Sequence, residues 1–120
     1  NIPNALSTPE RLVLFIQYTR LDVKICFDTG HAHLAGGVQP AFETLKSYIS
    51  AVELHDNRAD SDDHLLPFGG TIPWTELFEA LGALDPKTAF LIEPRDYGPE
   101  TTSMIHVQDA IRRIRETVTP

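Results

Sequence analysis

The sequence predicts an α/β domain built on a parallel sheet with covering helices. Three observations carry this. Short apolar, β-branched or aromatic runs alternate with amphipathic stretches at helical spacing, giving one helix and then three strand–helix pairs. Each run alternates bulky and small residues, so the strands share a common parity. Each also has an ionisable residue at its C-terminal end, on the smaller face.

The elements follow in order. Ser7-Thr8-Pro9-Glu10 supplies hydroxyl caps, a proline for the first turn and a carboxylate at the positive end of the helix dipole, so a helix is expected from Leu12 to about Tyr18. Residues 23–28 form the first expected strand, closed by Thr29-Gly30. Pro40 opens a second helix carrying Phe42, Leu45 and Ile49, and Ala51 to His55 form the second strand. A polar segment from Asp56 to Thr71 holds four aspartates and Gly69-Gly70, and a connection of that length is usually functional or disordered. Pro73 starts a third helix with Trp74, Leu77, Phe78 and Leu81 on one face. Thr88 to Glu93 form the third strand, ended by Pro94. The last helix runs from about Glu100 to Val118 with a stripe of Val107, Ile111, Ile114 and Val118.

On this parity, Ile25, Phe27, Val52, Leu54, Phe90 and Ile92 face the helices. Cys26, Asp28, Ala51, Glu53, His55, Ala89, Leu91 and Glu93 take the other face, which points inward in a parallel barrel. Ligands collect at strand C-termini in such folds.

Composition narrows the function. The 120 residues amount to one domain, and 42% hydrophobic content suffices for a core. Ten basic against seventeen acidic residues give a net charge of −7, which argues against binding along nucleic-acid phosphates. The longest aliphatic or aromatic run, Leu12 to Ile16, is far short of a membrane span. Cys26 is the single cysteine, so no intrachain disulfide forms and a reducing cytoplasm is the expected location. The chain starts at Asn1 without Met or a signal peptide, which suggests an upstream segment or a longer parent.

Four clusters could carry chemistry. Asp28-Thr29-Gly30-His31 offers a metal a rigid carboxylate and an imidazole across a tight turn; the plainer reading is a turn aspartate capping its own backbone beside a solvated His31. Glu53 and His55 share one face of a strand, as ligands or as a buried pair that satisfies itself. Asp62-Asp63-His64 has a metal-ligand spacing but also reads as a solvated acidic loop, and Gly69-Gly70 either admits close backbone approach to a ligand or simply turns the chain. Glu93 can bind metal or abstract a proton, or can pair with Arg95. His33 is read as loop and His106 as helix surface.

Taken together, Cys26-Phe27-Asp28-Thr29-Gly30-His31-Ala32-His33-Leu34, Glu53-Leu54-His55-Asp56-Asn57, the stretch from Asp62 to Trp74, and Leu91-Ile92-Glu93 resemble the xylose isomerase-like TIM-barrel superfamily. Its members include sugar and sugar-phosphate isomerases and epimerases and the endonuclease IV group. The resemblance implies that residues 1–120 are the C-terminal half of a (β/α)8 barrel, strands six to eight with helices five to eight. Asn1-Ile2-Pro3-Asn4 then follows a fifth-strand glutamate outside the chain. A complete barrel takes about 250 residues.

It further implies that Asp28 is a metal ligand and that Glu93 is both the final metal ligand and an acid/base residue. His31, His64 and Asp62 are assigned to substrate binding; in the endonucleases their counterparts hold metal. The family's usual His-Leu-His-Asp-Asn is altered, with Glu53 in the first histidine's place, so either Glu53 or His55 completes the metal set. The implied activity is metal-dependent isomerisation or epimerisation of a sugar or sugar phosphate, by proton transfer between paired glutamates through an enediolate-like intermediate. Carboxylate-rich ligation favours Mn²⁺ or Mg²⁺ over Zn²⁺. Little activity is expected from these 120 residues alone. A homo-oligomer, or pairing with an N-terminal half, is expected to cover the open sheet. The rival readings are an abasic-site endonuclease with three zinc ions and a non-catalytic half-barrel that binds a ligand or partner.

Overall fold

The computed structural model describes residues 8–118, with the side chains of residues 100–102 and 118 set aside. The expectations for Asn1 to Asn4, for Ser7 as a cap and for the Val118 side chain lie outside that range. The elements are α1 (Pro9–Tyr18), β1 (Ile25–Asp28), α2 (Thr29–Leu34), α3 (Val38–Leu45), a single 3₁₀ turn (Lys46–Tyr48), β2 (Ile49–Leu54), α4 (Trp74–Leu81), β3 (Ala89–Ile92) and α5 (Glu100–Val118). The strands form one sheet in the order β1-β2-β3, and both pairs are parallel.

Local chemistry explains most boundaries. Thr8 caps α1, its Oγ1 accepting from the Arg11 amide, and Pro9 takes the first helical position. α3 ends in a 3₁₀ turn, and Ile49 opens β2 instead of continuing the helix as its spacing suggested. There the β-branched Ile49 is buried and pairs with Ile25. The segment after Asp28 is also a helix, α2, where the sequence suggested only a turn. Its N-cap is Asp28, whose Oδ1 accepts from the His31 amide at 2.9 Å. Gly36 and Gly37 follow with φ of 121° and 116°, a backbone that side chains rarely allow.

The core lies between the sheet and the helices. Phe27, Val52 and Leu54 meet Phe42 and Leu45 from α3 and Trp74, Leu77, Phe78 and Leu81 from α4. Phe27 and Phe42 pack edge to face, 5.8 Å between centroids. Phe90 has the expected parity, yet it remains half exposed because β3 is an edge strand. The opposite face is open: Cys26, Ala89 and Leu91 are exposed, and Ala51 and Glu53 are partly so. No described helix is long and apolar enough to cross a membrane.

Candidate metal and proton-transfer site

In a parallel sheet all strands end on the same side, so Asp28, His55 and Glu93 meet on one rim. Asp28 is the last residue of β1, and His55 and Glu93 follow the last residues of β2 and β3. The Glu93 amide donates to the Leu54 carbonyl at 3.1 Å, which continues the ladder and holds Glu93 in register. One ligand atom from each of the three lies within 4.8 Å of the others.

Asp28 is the hub. Its Oδ1 accepts from His55 Nε2 at 2.7 Å, and its Oδ2 stands 2.6 Å from His31 Nδ1. Burial pushes this carboxyl up, but the His55 hydrogen bond, the His31 amide and the two imidazoles together hold it below its ordinary 3.8. His55 is fully buried. Burial pushes its pKa down, and the hydrogen bond to Asp28 with the charges of Asp28, Asp62 and Glu93 outweighs that and raises it above 6.5. Thr29 Oγ1 donates to the His55 carbonyl at 2.8 Å and accepts from its amide at 3.1 Å, so the backbone of His55 is locked to α2. The ring occupies the space beside Gly30, where a β-carbon would sit 2.0 Å from its Cε1.

The polar segment after β2 is folded back over this rim. Asp56 and Leu65 exchange backbone hydrogen bonds at 2.7 and 2.9 Å, and the Arg95 amide donates to the His64 carbonyl at 2.8 Å. This brings Asp62 and His64 to His31 and His55, and one ligand atom from each of these four lies within 4.8 Å of the rest. His31 spans two carboxylates, its Nε2 being 3.1 Å from Asp62 Oδ2. His64 lies flat on His55, 4.1 Å between centroids and 3° from parallel, with Nε2 3.5 Å from Asp62 Oδ2 and Nδ1 3.6 Å from Glu93 Oε2. Asp62 is slightly buried, which pushes its pKa up; the hydrogen bond from His31 and the charges of His31, His64 and His55 bring it below 3.8.

Of the two residues open for the strand-seven ligand position, His55 enters ligand range and Glu53 belongs to neither group. Glu53 lies beside Asp28 in the β1–β2 register, on the open face with Cys26. Partial burial, then the carboxylates of Glu53, Asp28 and Glu93, push the Cys26 thiol up from 9.0, as expected beside a negative surface. No Glu93–Arg95 ion pair forms among the described residues: Glu93 faces His64, and Arg95 lies over the Tyr97 ring. His33, read as loop, is in α2 with its Nε2 2.8 Å from Thr71 Oγ1. His106, read as helix surface, is exposed on α5 with its ring beside Tyr97.

Asp56 is the residue that sequence reasoning passed over. It is fully buried, and its carboxylate accepts from the amides of Asn57, Gly70 and Ile72 and from Trp74 Nε1 at 2.7 Å. A β-carbon on Gly70 would lie 2.2 Å from the Asn57 carbonyl oxygen, so this glycine serves close chain packing. An acidic residue directly after a strand with a tryptophan downstream was the available signal, but an aspartate-rich loop hides it.

Comparison with known proteins bears on the fold. A crystal structure titled D-tagatose 3-epimerase-like protein matches 99% of this chain with a TM-score of 0.72 and 28% identity, and the match spans 48% of that protein. An uncharacterized protein named y4fM from Sinorhizobium fredii (strain NBRC 101917 / NGR234) is 35% identical over 81 residues, 67% of this chain and 26% of its own length. The chain thus spans about half or less of the proteins it matches. The three parallel strands with flanking helices correspond to half of a TIM barrel. A family model described as xylose isomerase-like TIM barrel matches residues 2–116, and the chain belongs to that family.

Proposed function

We propose that this chain carries part of the active site of a metal-dependent isomerase or epimerase acting on a sugar or sugar phosphate by proton transfer. The observation that carries this reading is the convergence of Asp28, His55 and Glu93 from three successive strand ends to within 4.8 Å. Two carboxylates and one imidazole form a donor set suited to a hard or borderline divalent cation, with Mn²⁺ or Mg²⁺ favoured over Zn²⁺. Such an ion, when bound, polarises a substrate carbonyl or hydroxyl.

The protein groups have separable roles. Asp28 holds its position through the α2 cap and two imidazoles. Glu93 is half exposed at the rim and, on this reading, takes a proton from a substrate carbon. His64 Nδ1, 3.6 Å from Glu93 Oε2, can stabilise the carboxylate after the proton leaves. His31, Asp62 and His64 form a polar wall suited to substrate hydroxyls or a phosphate. A reducing cytoplasm and assembly with further barrel strands belong to the same proposal.

Titration with Mn²⁺ tests it. The wild-type chain is expected to bind, Asp28→Ala to lose at least about tenfold in affinity, and Glu53→Gln to titrate like wild type. Identical titrations for wild type and Asp28→Ala would refute the metal-dependent reading.

A second reading rests on the other cluster. His31, His55 and His64 with Asp62 form a nitrogen-rich group, which suits Zn²⁺ and phosphodiester hydrolysis at abasic sites. The net charge of −7 weighs against a polyanionic substrate. Incision of an abasic duplex dependent on Zn²⁺ and on His64 would favour it over the isomerase.

A further inference from the structure

Lysine occurs three times in the chain, at positions 24, 46 and 87. Lys24 directly precedes β1, Lys46 opens the 3₁₀ turn ahead of β2, and Lys87 stands just before β3. Because the strands are parallel, the three lysines gather at the end of the sheet opposite the carboxylate–imidazole rim. All three line one cavity of about 610 Å³, which none of the seven arginines reaches. That volume is within the range of roughly 300–1,000 Å³ common for small-molecule sites.

The rest of the cavity wall mixes polar and apolar groups. Ser47 and Ser50 add hydroxyls, and so does Thr88, whose buried Oγ1 has no hydrogen-bond partner among the described residues. Phe42, Ile49 and Leu84 form an apolar patch. One carboxylate, Asp85, also lines the cavity, and its Oδ1 accepts from the Lys87 amide at 2.8 Å. Lys46 pairs with the well-exposed Glu43 at 2.6 Å, a surface pair that water and ions readily exchange. Lys24 and Lys87 make no ion pair among the described residues.

We propose that this cavity binds a phosphate-type oxyanion, free or as the ester of a small molecule whose body rests on Phe42, Ile49 and Leu84. Three lysines lining one cavity of a chain with net charge −7 form a local concentration of positive charge that a bound anion would offset. Lysines act as compact point charges that surround a tetrahedral anion, whereas a planar carboxylate is better matched by an arginine fork. The serine and threonine hydroxyls can donate to the remaining oxygens. This site is remote from the rim, so it stands or falls independently of the metal-dependent reading.

Because the chain has three lysines in all, acylation read lysine by lysine in peptide mass spectrometry reports on the site. Inorganic phosphate is expected to slow acylation of Lys24, Lys46 and Lys87 together, relative to chloride at equal ionic strength. Lys24→Gln and Lys87→Gln are expected each to raise the phosphate concentration needed by about tenfold, with unchanged thermal unfolding. Phenyl phosphate separates the two sources: protection equal to phosphate assigns the headgroup alone, and stronger protection assigns the apolar patch as part of the site. Protection absent, confined to one lysine, or matched by chloride would overturn the proposal.

Discussion

His55 Nε2 stands 2.7 Å from Asp28 Oδ1, and this hydrogen bond joins the C-terminal ends of two neighbouring parallel strands. The same Asp28 carboxylate caps α2 and meets His31, so one side chain sets the strand end, the helix start and the rim. Any ion bound at the rim competes with His55 and His31 for those oxygens. The metal-free and metal-bound proteins are therefore expected to differ in their dependence on pH.

In the metal-free chain the Asp28–His55 pair is expected to make stability bell-shaped in pH. His55 is raised in the folded state, so its contribution is complete below 6.5 and is lost as pH rises through the higher folded value. Asp28 is lowered, so its contribution is complete above 3.8 and is lost as pH falls through the lower folded value. Urea unfolding across pH is expected to peak between those limits, and His55→Gln to remove the loss on the alkaline side. An alkaline limb of equal size in His55→Gln would contradict the assignment.

Gly30→Ala tests the space beside the ring. Alanine normally favours a helix over glycine by about 1 kcal/mol, yet here its β-carbon would lie 2.0 Å from His55 Cε1. The clash should dominate, with a net destabilisation of about 1–3 kcal/mol and a displaced ring. Denaturant unfolding together with the His55 imidazole resonances would detect both effects. A substitution that stabilises the protein would show that the ring has room to move.

The folded state of the polar segment depends on Asp56. Asp56→Ala would leave three amides, two of them buried, and the indole N–H without their acceptor, a loss of about 3–5 kcal/mol. Trp74 is the single tryptophan, so its fluorescence reports directly on this contact. Emission is expected to shift to the red in Asp56→Ala at temperatures where the core remains folded.

Periodicity exposed the strands because bulky and small residues alternate strictly in Phe27, Val52 and Leu54 and their neighbours. It placed Ile49 in a helix because an apolar residue four positions after Leu45 fits that repeat equally well. Only pairing with Ile25 decides for the strand, and that contact is not local in sequence. The rim was legible in outline, since chemistry at strand ends follows from parallel topology. The separation of Glu53 from His55 was not, because Glu53 is within the strand and its pleat while His55 is just beyond and is drawn to Asp28 by a hydrogen bond. Asp56 was hidden for the same reason: its partners Gly70, Ile72 and Trp74 are fourteen to eighteen positions away.

The open face of the sheet leads to the last prediction. β1 and β3 each have an unpaired edge among the described residues, and Leu91 is half exposed on the face that a closed barrel would cover. Edges of this kind recruit further strands, and the apolar patch adds a driving force for association. The isolated chain is therefore expected to self-associate at micromolar concentrations. Leu91→Lys should weaken association by placing a charge on that face, while the Phe27–Phe42 core on the other side stays intact. Light scattering across a dilution series, with circular dichroism to verify folding, distinguishes the outcomes. A wild-type chain that remains monomeric throughout, with cooperative unfolding independent of concentration, would show that the half-barrel face is stable in water without a partner.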